Sequence, residues 1–297
     1  AFLKAYHYTD ANGEVSFGSK RKAVEYSIEW ERDKWDIRDG GVQAYYNGPS
    51  KKGRWTLDIG SGTQKSLHYS AIHRALYKYY YGDCCGLVRP DKKLKISYQT
   101  GSDPDGTALA STDSHHVRHW NWILSAITVY EKNTLNEIEE VSDVFSSTLH
   151  ELAHASHMCR MNKKNYESVE KTIKESWATA VEWYLSIHEY KRLNVSAVTI
   201  NSIDDKRNKQ NWPINYKYLE YTPLFIDMFD NHNQNEDYFG LPDDNIEGYS
   251  ISLIDSNLQN MKNFSDVETF MKNNRPNNVS INQITKFLLI YKTKWIK

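Results

Sequence analysis

His150-Glu151-Leu152-Ala153-His154 sets two imidazoles four residues apart, with a carboxylate directly after the first. On an α-helix, residues at that spacing differ by about 40° in azimuth and about 6 Å in rise, so His150 and His154 can point at one ion from adjacent turns. Glu151 then projects beside the ion rather than at it, within reach of a water whose pKa a bound Zn2+ lowers toward about 7. A carboxylate so placed suffices as a general base, and the chemistry is that of peptide-bond hydrolysis. Two His leave such an ion short, because catalytic zinc usually takes three protein ligands and keeps one position open.

His157 is seven residues from His150, about 10 Å along the same helix, too far for one ion to be held by all three His. It is read as a neighbour that packs or hydrogen-bonds below the site. The metzincin pattern needs Gly at 157 and His at 160, where the chain has His157 and Arg160. Glu175 lies 21 positions past His154 (175 − 154), enough chain to finish one helix, turn and lay a second against it. The segment Lys174-Glu175-Ser176-Trp177-Ala178-Thr179-Ala180-Val181-Glu182-Trp183 resembles the third-ligand helix of the gluzincin zinc peptidases, marked by a Glu, an aromatic and a small residue. The resemblance spans about Val144 to Leu185. It implies a twisted sheet with an edge strand that aligns substrate and a mostly helical lower half. It also implies His150, His154 and Glu175 as zinc ligands and Glu151 as base and proton shuttle. That family places an acidic residue four positions after the third ligand to orient the first His. Here the position holds Thr179, and Thr179 or Glu182, on the Glu175 face, is left to serve. Glu167, Glu170 and Glu182 are the rival third ligands.

Stabilising a tetrahedral intermediate takes a donor aimed at the developing oxyanion. Tyr221 is the preferred candidate, since it follows the ligand helix and opens a new one; Tyr216, Tyr218 and His232 compete, and packing is the alternative role for any of 21 Tyr. The cluster Asp113, His115, His116 and His119 has no specific ligand spacing and reads as a polar loop leading into a strand.

Apolar spacing predicts the elements that must carry these residues. A helix is expected near Lys22 to Trp35 among loops and short strands, with turns at Ala11-Asn12-Gly13, Asp39-Gly40-Gly41 and Asn47-Gly48-Pro49. Another runs from Thr63 to Tyr81 and stops before Gly82-Asp83. Strands follow at Leu94 to Tyr98 and within Trp120 to Tyr130, either of which could be the edge that receives substrate by strand addition. After Asn133 the pattern turns helical through Leu135, Ile138, Val144 and Leu152, so the metal motif sits on a helix. Val169, Ile173, Trp177, Val181 and Tyr184 stripe one continuous helix from Tyr166 to Tyr190. Helices are also expected at Tyr216 to Phe229, broken near Pro223, and around Ile251 to Met261, Val267 to Met271 and Ile281 to Trp295. The fold expected is α+β and zincin-like, a small twisted mixed sheet followed by a mainly helical C-terminal half. Residues 1–140 form the part with the sheet and its edge strand, and 141–297 the helical part with the zinc site, together one catalytic unit.

Composition narrows the partners. With 37 Lys plus Arg against 38 Asp plus Glu, the net charge of -1 gives no global attraction to nucleic acid or an anionic membrane. No run of about 18 apolar residues is present to span a bilayer. Cys84, Cys85 and Cys159 resemble no disulfide framework; one bridge at most, from Cys84 or Cys85 to Cys159, is open, as are three free thiols. The start at Ala1 and the high Asn, Lys and Tyr content are read as those of an exported bacterial protein, secreted or at the cell surface, whose leader is removed.

The reading is a zinc-dependent endopeptidase acting on proteins or peptides, with Zn2+ as cofactor. The alternative is a zincin-scaffold surface protein that binds glycans or proteins through its aromatic residues with little or no hydrolysis.

Overall fold

The computed structural model describes residues 6–10, 14–16, 18, 22–60, 63–82, 85–90, 93–102, 115–116, 127–132, 136–195, 221–231 and 245–294. Among these, strands β1 (Val24–Glu29), β2 (Trp35–Asp39), β3 (Val42–Gln43) and β4 (Tyr45–Lys51) precede helix α1 (Gln64–Tyr81). Strands β5 (Leu94–Ser102), β6 (His115–His116) and β7 (Ile127–Lys132) follow. The remainder is helical: α2 (Val141–Met161), α3 (Lys163–Glu167), α4 (Lys171–Arg192), α5 (Leu224–Phe229), α6 (Ile251–Asn257), a 3-10 turn (Leu258–Asn260), α7 (Phe264–Asn273) and α8 (Ile281–Lys294). The fold is α+β with a small mixed sheet.

That sheet has the order β3-β2-β5-β7-β6, with β2, β5 and β7 mutually parallel and β3 and β6 antiparallel to their neighbours. A separate antiparallel pair joins β1 to β4. The helix expected over Lys22 to Trp35 is therefore two strands. Val24, Tyr26 and Ile28 are half-buried while Glu25 and Ser27 are exposed, a period of two that a β-branched and aromatic segment fits better than a helix. The turn at Asp39-Gly40-Gly41 is a two-residue hairpin between β2 and β3, closed by the Asp39–Val42 pair. Gly40 takes φ +62 there, a conformation glycine reaches without penalty, and its N–H donates to Tyr98 O at 2.8 Å.

One expectation about edges is corrected. Leu94 to Tyr98 lies in β5, the middle strand, paired on both sides, whereas Tyr130 lies in β7, paired with Gln99 of β5, and β6 covers β7 only at Ile127 and Thr128. Residues 120–126 lie outside the described residues. The edge beyond β7 is β6, whose residues the sequence presents as loop, and β6 packs against α2. Asp113 and His119 also lie outside the described residues.

α1 buries Tyr69, Ile72, Leu76 and Tyr79 beneath the sheet strands that bring Trp35, Ile37, Ile96, Tyr98, Ile127 and Val129 into the core. Burying side chains of this size stabilises a fold by about 1.5–3 kcal/mol each. α2 packs against both α1 and α4 and is buried without a break from Val144 to Met158. It starts at Val141, not near Asn133, because Ile138 is held extended by a bridge to Lys132 and Glu139 N–H donates to Glu131 O. The single helix expected from Tyr166 to Tyr190 is α3 and α4, parted at Ser168-Val169-Glu170, where Glu170 has the extended backbone of a helix start. Thr222 and Pro223 precede α5 rather than lying inside a helix begun at Tyr216, and residues 216–220 lie outside the described residues. α6 is tied back to α2 by Asp255, which accepts from the Arg160 guanidinium and from Val88 N–H. Cys85 and Cys159 are half-buried and not joined in a disulfide, and Cys84 lies outside the described residues. No helix among the described residues is long and apolar enough to cross a membrane.

One core contact makes stability depend on pH. Trp35 Nε1–H donates to His73 Nδ1 at 3.3 Å, with the rings edge to face. Burial, helped by the Arg32 charge, pushes His73 down from 6.5 to about 4. Between those values the unfolded chain takes a proton that the folded chain refuses, so stability is full above 6.5 and falls as pH drops toward 4. We expect the urea midpoint to fall over that window, and His73→Phe to shrink the fall by up to about 3 kcal/mol. Equal losses in both proteins would refute the assignment.

Candidate metal centre

Buried all round, α2 cannot send its polar side chains to water, so each must find a partner inside the protein. Ser146 and Thr148 donate back to carbonyls one turn earlier, Ser142 O and Val144 O. His150 and His154 turn instead to α4. As α2 advances from 150 to 154, their carboxylate partners on α4 run back from Glu182 to Glu175, so the two helices are antiparallel at this register.

His150 Nε2, His154 Nε2 and Glu175 Oε2 converge. His154 Nε2 lies 3.1 Å from His150 Nε2 and 3.1 Å from Glu175 Oε2, and His150 Nε2 lies 3.3 Å from the same oxygen. Ligand atoms bound to zinc at about 2.0–2.1 Å in a tetrahedron stand about 3.3 Å apart, so the three occupy three corners of a shape that a metal ion fits. Among the described residues this is the group of His and carboxylate side chains that could hold a metal ion. Glu167 and Glu170 are exposed and stand outside it.

The electrostatics describe a trio waiting for positive charge. Burial alone would lower His150, but its hydrogen bonds to Glu175 and Glu182 outweigh that and raise it to about 9. Burial would raise Glu175, yet the neighbouring His154 and His150 hold its carboxyl well below the usual carboxylate range. His154 is lowered, chiefly by burial.

Glu182 is not a rival ligand. Its Oε2 is 3.1 Å from Nδ1 of His150, the nitrogen facing away from the cluster, and it is fully buried. A carboxylate only accepts, so it fixes a hydrogen on Nδ1 and leaves the Nε2 lone pair facing the site. The orienting acid thus comes seven residues after Glu175, two turns along the same face, with Thr179 in the turn between. Glu151 is buried beside the first His. His157 is fully buried with its ring edge to face with Tyr166 at 5.1 Å, and neither ring nitrogen has a partner among the described residues. Burial pushes it down to about 3, so it is a neutral packing group. Side-chain exposure rises from 0% at Glu182 through 2% at His150 and 9% at His154 to 14% at Glu175, which gives the cluster a closed back and one open side.

The Tyr221 ring stands 6.1 Å from the His150 ring. What holds it there escaped the sequence reading. Ser176, next to Glu175, accepts from Thr222 N–H at 3.0 Å and pairs its hydroxyl with that of Thr222 at 2.8 Å. Both residues are buried, so the chain beside Tyr221 is clamped to the ligand helix. The one available signal was a Ser amid the apolar stripe of α4. Of the competing donors, Tyr216, Tyr218 and His232 lie outside the described residues.

Replacing Glu182 with Leu leaves His150 Nδ1–H buried without an acceptor, and any metal binding by the cluster, read in a chelator competition, should weaken about 10–100-fold. Unchanged affinity would rule out the orienting role. Ser176→Ala strips Thr222 N–H of its acceptor and should lower stability to urea by about 1–3 kcal/mol. Comparison of the chain with protein-family models, curated proteins and solved structures gives no match.

Proposed function

We propose that the chain is a zinc-dependent peptidase of gluzincin type, acting as an endopeptidase on proteins or peptides. The observation that carries the reading is the tetrahedral spacing of His150 Nε2, His154 Nε2 and Glu175 Oε2, with a carboxylate, Glu151, directly after the first ligand. His150, His154 and Glu175 would hold the ion. Bound zinc supplies Lewis acidity, which makes a water acidic enough to attack and polarises the substrate carbonyl. Glu151 takes the proton from the attacking water and returns it to the leaving amine nitrogen. Tyr221, clamped through Thr222 to Ser176, donates its hydroxyl hydrogen to the oxyanion. Glu182 keeps His150 in the tautomer that binds. An extended peptide adds to the sheet at β6, the outermost strand among the described residues and a neighbour of α2, so that main-chain hydrogen bonds align it.

The test is a pair of substitutions read on two scales. Glu175→Ala should abolish stoichiometric zinc in elemental analysis. Glu151→Gln should keep the metal yet lower cleavage of an unfolded protein substrate about 10²–10⁴-fold. Zinc retained by Glu175→Ala would sink the ligand assignment. Metal binding with no cleavage of a broad peptide library would favour a binding protein on the same scaffold.

A further inference from the structure

α3 is a five-residue helix with no buried residue: Lys163, Lys164, Asn165 and Glu167 are exposed, and Tyr166 alone turns partly inward. An element that contributes so little to the core still has a defined start. Asn162 takes φ +61 to reverse the chain at the end of α2, and its side chain accepts from Asn165 N–H at 3.2 Å. The reversal carries Tyr166 back along α2, where its hydroxyl oxygen comes within 3.0 Å of His154 Nδ1. Two contacts fix the ring. The edge-to-face His157 ring sits at 5.1 Å, and Lys174 Nζ lies 5.2 Å from the ring centroid. Lys174 is the residue before Glu175, so the ring is wedged between the two helices that supply the ligands.

We propose that Tyr166 is a positioning residue for the metal centre, its phenol oxygen accepting from Nδ1–H of His154 so that Nε2 presents its lone pair to the ion. The inference rests on the metal-binding reading of His150, His154 and Glu175. The proton logic is strict: an imidazole that binds through Nε2 carries its hydrogen on Nδ1, and the group facing Nδ1 must accept. Tyr166 does for His154 what Glu182 does for His150, with one chemical difference. Glu182 is a charged group that only accepts, whereas the phenol is neutral and amphiprotic. Glu151, Glu175 and Glu182 already crowd the site, and a neutral acceptor orients the second imidazole without a further buried negative charge. The role also accounts for His157, a buried imidazole with no hydrogen bond among the described residues, as the backing of the Tyr166 ring.

Tyr166→Phe keeps the ring and removes the acceptor. In the full chain it should weaken zinc binding about 10–100-fold in a chelator competition and shift the visible absorption of the Co2+-loaded protein. The thermal midpoint of the metal-free protein should stay near that of the wild type. Zinc affinity and cobalt spectrum both unchanged would overturn the proposal. If the variant does not fold, the wild type decides. In the zinc-loaded protein, His154 Nδ1–H should exchange slowly with water and show a nuclear Overhauser contact to the Tyr166 ring, and loss of both signs overturns it. A wild type that takes up no zinc refutes the metal-binding reading itself, whereas equal affinity in wild type and Tyr166→Phe refutes only the role of Tyr166.

Discussion

Two helices pressed together along apolar stripes hold a polar site between them when its imidazoles are answered by carboxylates of the facing helix. α2 and α4 meet that condition through one register, which brings His150 opposite Glu182 and His154 opposite Glu175. Sliding either helix by one turn would strand buried imidazoles against apolar side chains, and an unanswered buried polar group costs about 1–3 kcal/mol. The apolar packing of Leu149, Leu152, Trp177 and Val181 sets the distance, and the His and Glu pairs set the register. Buried polar pairs are better suited to the second task than the first, because their net contribution to stability is small while their misalignment is costly.

The same register organises the parts that touch neither imidazole. Ser176 is buried because α4 turns that face inward, and from there it clamps Thr222 and the chain beside Tyr221. Trp177, next along, meets Phe225 of α5 edge to face at 5.7 Å, so the segment after Tyr221 is fastened twice to the ligand helix. Asp255 on α6 holds Arg160 at the far end of α2, beyond the site. The rigid surroundings of the His and Glu cluster are thus assembled from elements distant in sequence, each tied to α2 or α4.

The convergence of His150 and His154 was legible because it is local: a four-residue spacing on a helix is a complete geometric statement about two side chains. The helical stripes of α1, α2 and α4 were legible for the same reason. Glu182 as the orienter was only half legible, since helical periodicity puts Thr179 and Glu182 on one face and the depth at which α2 crosses that face decides between them. Tyr166 left no trace in the pattern. Its place beside His154 depends on Asn162 adopting a left-handed backbone, and an unbroken apolar stripe read straight through the turn. Val24 to Glu29 was misread as helix, whereas the strand at Leu94 to Tyr98 was legible and only its place in the sheet was not. Val24 to Glu29 is too short for helix and strand periods to separate clearly, and Leu94 to Tyr98 carries an alternation that does not say whether neighbours lie on one side or two.

That last ambiguity bears on how a substrate could reach the site. β5 pairs with parallel strands on both sides, and Leu94, Ile96 and Tyr98 on one face and Ser97 on the other are all buried, so the strand is closed to a newcomer. β6 is different in kind: among the described residues it pairs only with β7, antiparallel, and it lies next to α2. The cluster itself opens on the Glu175 side and is sealed at Glu182. The sealed side does the complementary work: Glu182, fully buried, accepts at His150 Nδ1 and so turns Nε2 toward His154 and Glu175.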